Sequence, residues 1–232
     1  FASRQEIGAA VCVYKDGEKV VDLWGGHRDA ARTMPWEENT IVLMNSVVKA
    51  MCALAVHVLA DRGEVDLDAP VAKYWPEFAQ NGKEGILVRH VQGHECGAIF
   101  SDSAKPGDWF DYPAQCAAIA AQAPAFPAGT KGAYNTINIG FILGEVVRHV
   151  TGKTIGTFIR EEISEPLGAE YNLGLTKAEA ALCATMHTNP ENKFWSTGAQ
   201  DGSNLHRAWS GRPDRDDLLN CTEIREGELP AF

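Results

Sequence analysis

The chain has 232 residues, of which 45% are hydrophobic, and it carries a formal net charge of −10. That length and apolar content suffice for a sizeable core in one large domain or in two lobes, so we expect a soluble globular protein. Acidic and basic residues are interleaved without a basic stripe, which argues against nucleic acid and against an anionic membrane surface as partners. A neutral or cationic small molecule is the more suitable partner.

The N-terminal segment predicts a β-hairpin. Apolar and polar residues alternate on either side of Asp16-Gly17, and Asp-Gly favours the tight turn of a hairpin. We expect antiparallel strands at about residues 8–15 and 18–25, within an N-terminal unit that covers residues 1–35. A lone two-stranded hairpin is only marginally stable, and the rest of the chain offers no obvious further strand. Either a partner supplies more strands or the chain is an incomplete piece of a longer protein.

Residues 36–232 have mainly helical spacing. The apolar stretch from Val42 to Gly63 predicts one buried helix, capped by Asn45 or Ser46 and ended by Gly63. The last sixty or so residues are polar and turn-rich. We therefore expect a mainly helical lobe with an irregular C-terminal segment, in a single domain overall. Further helices are predicted in the segments "AQCAAIAAQ", "NIGFILGEVVRHVTGK", "TIGTFIREEISEPLG" and "KAEAALCATMH", and a short helix or an extended run in "ILVRHVQGH".

The cysteines and histidines predict neither a disulfide framework nor a metal site. The six cysteines are far apart without a C-x-x-C pair, which is typical of reduced, buried thiols in a cytoplasmic protein. His90 and His94 stand four residues apart with Glu95 and Cys96 adjacent, which fits metal-ligand spacing. No further ligand is indicated, so we expect no metal and no cofactor.

A serine and a lysine stand three residues apart at the start of the apolar helix. Positions i and i+3 share a helix face, so Ser46 Oγ and the Lys49 amine can come within hydrogen-bond distance. A lysine can activate a serine when it is neutral, and apolar neighbours such as Val47 and Cys52 would lower its pKa by desolvation. The first turn of the helix also offers backbone N–H groups, that of Ser46 included, to a developing oxyanion. The alternative is a capping serine beside a lysine that reaches solvent.

Four stretches, in this order, resemble one superfamily. The stretch that contains Ser46 and Lys49 is similar to the active-site helix of the serine β-lactamase and penicillin-binding-protein superfamily, most of all in the esterase branch called family VIII carboxylesterases. The resemblance covers residues 1 to about 168. The other three stretches are "GAAVCVYKDGEKVVDLWGG", which resembles the opening hairpin, "VRHVQGHECG", which resembles the usual "HLLSHxSG" segment, and "FPAGTKGAYNTINIGFILGEVVRHVTGKT", which resembles the segment of the catalytic tyrosine.

The resemblance implies a fold, an activity and three catalytic residues. The fold is α+β of the β-lactamase/transpeptidase type, an antiparallel sheet flanked by helices plus a mainly helical lobe. The superfamily's third motif has no convincing match here, and the C-terminal strands that would carry it and complete the sheet are expected to be missing from this chain. Ser46 would be the nucleophile, Lys49 its base or orienting partner, and Tyr134 the residue that passes protons.

The match to β-lactamases is imperfect at the tyrosine. Class C β-lactamases carry Tyr-x-Asn, whereas this chain has Tyr134-Asn135-Thr136, which suits an esterase better. The sequence thus favours a serine hydrolase of small esters. The alternatives are β-lactam hydrolysis, D-amino-acid peptidase or amidase action, transacylation, and a non-catalytic binding homologue.

Other residues receive secondary roles. Trp109 and Trp195, both in predicted loops, are candidates for walls of a substrate pocket. Ser101-Asp102-Ser103 imitates a class A β-lactamase motif, but we expect a loop with capping side chains there. The expected partner is a small-molecule ester or amide, with a C-terminal fragment of the same protein and a second copy of the chain left open.

Overall fold

The computed structural model describes residues 6–105, 107–187 and 207–208. Its regular elements are β1 (Gly8–Lys15), β2 (Glu18–Gly26), α1 (Val48–Asp61), α2 (Val88–Gln92), α3 (Tyr112–Ala121), α4 (Asn138–Thr151), α5 (Ile155–Ile159), α6 (Glu165–Leu167) and α7 (Lys177–Ala180). Single 3-10 turns lie at Asn45–Val47, Val71–Lys73, Pro76–Ala79 and Asp108–Phe110, and a π-helical turn at Arg160–Ser164 joins α5 to α6. No helix in these ranges is long and apolar enough to cross a membrane.

The predicted hairpin is confirmed. β1 and β2 pair antiparallel around Asp16 and Gly17, which both have positive φ as the tight Asp-Gly turn requires. Within the described residues these two strands form the sheet, and large apolar side chains of both strands are exposed. The further strands expected for this sheet, and the boundary between residues 35 and 36, stay predictions.

The core lies among the helices and is centred on α1 and α4. The buried residues of α1 recur at helical spacing and form one face, whereas residues 138–147 of α4 are all buried. α4 ends at Gly152, whose φ of +73° is the left-handed conformation that glycine adopts most readily, as the sequence predicts. The buried side chains of the two faces are Cys52, Ala55, Val56 and Leu59 on α1, and Ile139, Phe141, Ile142, Leu143, Val146 and Val147 on α4.

A fully buried lysine joins the C-terminal end of α3 to the loop before α2. Lys83 is 0% exposed, and its ammonium donates to the backbone carbonyls of Gln80, Ala120 and Gln122 at 2.6, 2.8 and 2.5 Å. The last carbonyls of a helix have no partner within it, so this side chain satisfies groups that would otherwise be buried without one.

The helix predicted for "KAEAALCATMH" is wrong beyond Ala180. The chain leaves the helix because its backbone pairs with distant segments: Ala184 N–H donates to Ile41 O at 2.7 Å, and Thr185 N–H donates to Arg28 O at 2.8 Å. These bonds tie residues 182–185 to the connector between the hairpin and α1. Local helical spacing contains no information about such contacts.

Candidate active site

Ser46 lies in a 3-10 turn immediately before α1. The helical segment begins at Asn45, three residues later than predicted, and Asn45 itself has a φ of +45°. Neither Asn45 nor Ser46 caps the helix through its side chain, so the predicted cap is wrong. The left-handed residue directly before Ser46 turns the chain sharply into the helix and leaves the serine exposed. Strained backbone of this kind clusters at functional sites.

The serine and the lysine form the predicted pair. Lys49 Nζ donates to Ser46 Oγ at 3.0 Å. The apolar surroundings expected for Lys49 are present on one side only, because Val48 is buried while Val47 and Ser46 are exposed and Lys49 is half-buried. The desolvation expected from the sequence is therefore incomplete in the described part of the chain.

Tyr134 joins this pair from the loop that precedes α4. Lys49 Nζ lies 5.1 Å from the centre of the Tyr134 ring, and the ring is 55% exposed. Lys49 thus contacts both other residues that the sequence singles out. The catalytic roles of the three residues stay predictions.

His94 completes the cluster and was not predicted as a site residue. Its ring packs against the Tyr134 ring with centres 4.8 Å apart, and its Nδ1 accepts a hydrogen bond from Asn135 N–H at 2.9 Å. Burial, and secondarily the charge of Lys49, lower the pKa of His94 below its usual value of 6.5. The sequence signal that points to it is its place in "GHECG", the segment that resembles a family block without matching its usual small polar pair.

Asn135, next to Tyr134, faces the interior. It is 0% exposed; its Nδ2 donates to Ala98 O at 3.2 Å, and its Oδ1 accepts from Ile139 N–H in the first turn of α4 at 3.1 Å. The residue two positions after Tyr134 is Thr136, which is half-buried. The amide of Asn135 is therefore committed to the fold and not to a ligand.

Of the two tryptophans proposed as pocket walls, the structure describes Trp109. Trp109 is 1% exposed and belongs to the hydrophobic core, in the 3-10 turn before α3. A side chain with almost no exposed surface offers little wall to a substrate, so the pocket role of Trp109 stays a prediction without structural support. Trp195 lies outside the described residues.

The segment Ser101-Asp102-Ser103 is a turn, as expected, and its side chains have structural partners. Ser101 Oγ is buried and accepts from Gln115 Nε2 at 3.1 Å, while Asp102 forms a two-point ion pair with Arg207 at 2.6 and 2.9 Å. The Arg207 guanidinium holds the pKa of Asp102 below its usual value.

The two histidines at metal-ligand spacing each accept a hydrogen bond from a backbone N–H group. His90 Nδ1 accepts from Leu87 N–H at 3.2 Å, as His94 Nδ1 does from Asn135. Among the described residues, no group of three or more His, Cys, Asp or Glu side chains is arranged to hold a metal ion. Cys52, Cys96 and Cys116 are buried thiols, whereas the thiol of Cys12 is exposed.

Comparison with known proteins places this cluster in a family context. The family model described as Beta-lactamase matches residues 1–217. The "Esterase/beta-lactamase LipL" of Mycobacterium tuberculosis is 39% identical over 181 residues, which are 78% of this chain and 42% of LipL. The "Esterase EstB" of Burkholderia gladioli is 28% identical over 195 residues, which are 76% of this chain and 49% of EstB.

A solved structure described as a family VIII carboxylesterase superimposes with a TM-score of 0.85 at 34% identity, covering 99% of this chain and 61% of that one. These findings confirm the predicted β-lactamase-like α+β fold. The chain spans about half the length of the two curated relatives.

Proposed function

The chain belongs to the Beta-lactamase family, and from that membership we propose that it is a serine hydrolase that cleaves small carboxylic esters through an acyl-enzyme on Ser46. The observation that carries the proposal is the 3.0 Å hydrogen bond between Lys49 Nζ and Ser46 Oγ beside the Tyr134 ring. It is supported by relatives that are described as esterases, at 39% and 28% identity.

In the proposed reaction Ser46 Oγ forms a bond to the ester carbonyl carbon while its proton passes to Tyr134, either directly or through Lys49. The backbone N–H of Ser46, in the first helical turn, stabilises the oxyanion. The alcohol leaves with a proton returned from Tyr134. Water then attacks the acyl-enzyme, the acid is released and Ser46 regains its proton, so the reaction requires no cofactor.

Esters are favoured over β-lactams by the position of Asn135. In the resemblance drawn from the sequence, β-lactamases use an asparagine two residues after the tyrosine to hold the substrate amide. Here that place is Thr136, and the amide of Asn135 is buried against Ala98 O and Ile139 N–H. β-Lactam hydrolysis is the second candidate because the name of LipL includes it.

The non-catalytic alternative requires that the serine be unreactive. An exposed hydroxyl with a lysine amine 3.0 Å from its oxygen has a neighbour that can take its proton once the amine is neutral, whereas a binding module has no use for that arrangement. Amidase, D-amino-acid peptidase and transacylase activities use the same residues and are distinguished by substrate.

The test is labelling of the full chain with a serine-reactive fluorophosphonate, followed by intact-mass measurement. We expect one adduct, which is absent in Ser46→Ala and retained in Ser103→Ala, a matched change at an exposed serine in a turn. Rates on short p-nitrophenyl esters, nitrocefin and D-alanyl amides then identify the preferred substrate. An unlabelled, folded protein with no ester hydrolysis would support the binding homologue.

A further inference from the structure

We propose that His94 is a positioning residue that holds Tyr134 beside Lys49, and that it does so only as the neutral imidazole with its proton on Nε2. The inference rests on the proposed function, because it gives His94 its purpose through the proton-moving residue of that site. His94 itself touches no reacting atom.

Three contacts clamp the segment that carries Tyr134. The carbonyl of His94 accepts from Ala133 N–H at 2.9 Å, and its Nδ1 accepts from Asn135 N–H at 2.9 Å. Its ring packs on the phenol between these two bonds. Ala133 and Asn135, on either side of Tyr134, are therefore both bonded to His94, whereas the phenol of Tyr134 itself is more than half exposed.

The backbone of His94 is shaped for this arrangement. Its φ of +59° is the left-handed conformation, which is uncommon for residues other than glycine and asparagine. The following residues 96–98 are buried, and the segment is bonded to the loop between α3 and α4, because Gly97 O accepts from Ala125 N–H at 2.9 Å and Glu95 O accepts from Gly129 N–H at 3.0 Å. His94 is thus held in place by its own neighbours and can restrict the movement of Tyr134.

The hydrogen bond determines the proton position on the ring. A nitrogen that accepts from a backbone N–H carries no proton, so neutral His94 has its proton on Nε2. Protonation of Nδ1 would point its N–H at the N–H of Asn135 and would place a second cation near Lys49. The titratable groups facing the ring are Lys49 from α1 and Tyr134 from the loop, and the adjacent Glu95 is exposed.

The expected consequence is an acid limb in activity. Because burial and Lys49 lower the pKa of His94 below 6.5, the imidazole is neutral at neutral pH and its Nδ1 accepts the hydrogen bond from Asn135 N–H. As the pH falls through this lowered pKa, the bond to Asn135 N–H is lost and Tyr134 is released. We expect kcat to fall over that interval while KM changes little.

His94→Asn is the decisive variant. Asparagine tolerates positive φ, and its Oδ1 stands at about the position of Nδ1, so the bond to Asn135 N–H is retained without the ring and without a titrating group. We expect a folded protein that still labels with fluorophosphonate, with kcat about tenfold lower and without the acid limb of His94. His94→Ala, which removes the acceptor too, should lower kcat by about 100-fold. An unchanged kcat and an unchanged acid limb in His94→Asn would overturn the proposal.

Nuclear magnetic resonance of the full chain separates this inference from the proposed function. We expect the Nε2–H tautomer, a His94 pKa below 6.5, an Asn135 amide signal that shifts at the same pH, and altered Tyr134 ring shifts in His94→Asn. An Nδ1–H tautomer, or Tyr134 signals that ignore the substitution, would refute the positioning role. The expected spectra from a protein that neither labels nor hydrolyses esters would reject the hydrolase and support the clamp.

Discussion

Replacing Asn135 with alanine tests how the structure holds the tyrosine loop on the first turn of α4. Three consequences are expected at this fully buried position. The N–H of Ile139 loses the acceptor that serves as its cap, which costs about 1 kcal/mol. Ala98 O loses one donor but keeps Asn138 Nδ2 at 3.3 Å, so this loss lies at the low end, about 1 kcal/mol. The vacated volume adds a smaller cavity cost.

We therefore expect Asn135→Ala to lower the free energy of unfolding by about 2 to 3 kcal/mol. The assay is urea denaturation followed by tryptophan fluorescence, with the dependence on urea concentration unchanged so that the shift in midpoint reports stability. Thr136→Ala, at the neighbouring half-buried position, is the control and should cost about 1 kcal/mol or less. A loss below about 1 kcal/mol in Asn135→Ala would refute the argument that this amide is a structural tie.

Three further substitutions test other parts of the structure. Lys83→Met removes the ammonium that three backbone carbonyls contact at 2.5 to 2.8 Å, and it should lower the free energy of unfolding by about 3 kcal/mol in the same assay. The control Lys131→Met, at an exposed lysine, should cost under about 0.5 kcal/mol. Equal effects would contradict the structural role of the buried Lys83. Gly97→Ala places a methyl group 2.3 Å from Phe126 O at a φ of +70°, so thermal unfolding should show a loss of about 3 kcal/mol, and wild-type stability would contradict the close approach. Lys49→Met should slow fluorophosphonate labelling by at least about 100-fold with little change in stability, and labelling at the wild-type rate would exclude Lys49 as the activating group.

The parts of the fold that the sequence predicts correctly are those whose cause is local. Asp16-Gly17 accommodates the two positive φ values of the tight turn, so the hairpin turn and both strands follow from a few residues. The apolar spacing of α4 and the glycine that ends it are likewise contained within one segment. In each case the residues that specify the element are also the residues that form it.

The parts that the sequence misses depend on distant residues. The segment after Ala180 has helical spacing, yet its backbone pairs with Arg28 and Ile41, about 140 residues or more away in the sequence. The sharp turn before Ser46 follows from Asn45 in the left-handed region, a conformation that the apolar pattern around it does not indicate. Tertiary contacts override local preference in the segment after Ala180.

The candidate site likewise has a local part that the sequence predicts and a long-range part that sequence spacing does not predict. Ser46 and Lys49 are predictable because three residues of helical spacing bring them together, and the structure places Nζ and Oγ 3.0 Å apart. The approach of Tyr134 to Lys49 spans 85 positions of the sequence, and it was predicted only through resemblance to a family. Spacing has no bearing on it.

Asn135 shows that a motif residue must be interpreted by the direction of its side chain as well as by its position in the sequence. Counted along the chain, it is an asparagine displaced by one residue from the place where β-lactamases use one. In the structure that displacement turns its side chain into the core, where it ties Ala98 to the first turn of α4, while its backbone N–H holds His94. One residue thus fixes the loop on two sides. Because its side chain is used in these structural hydrogen bonds, we expect its removal to affect stability first.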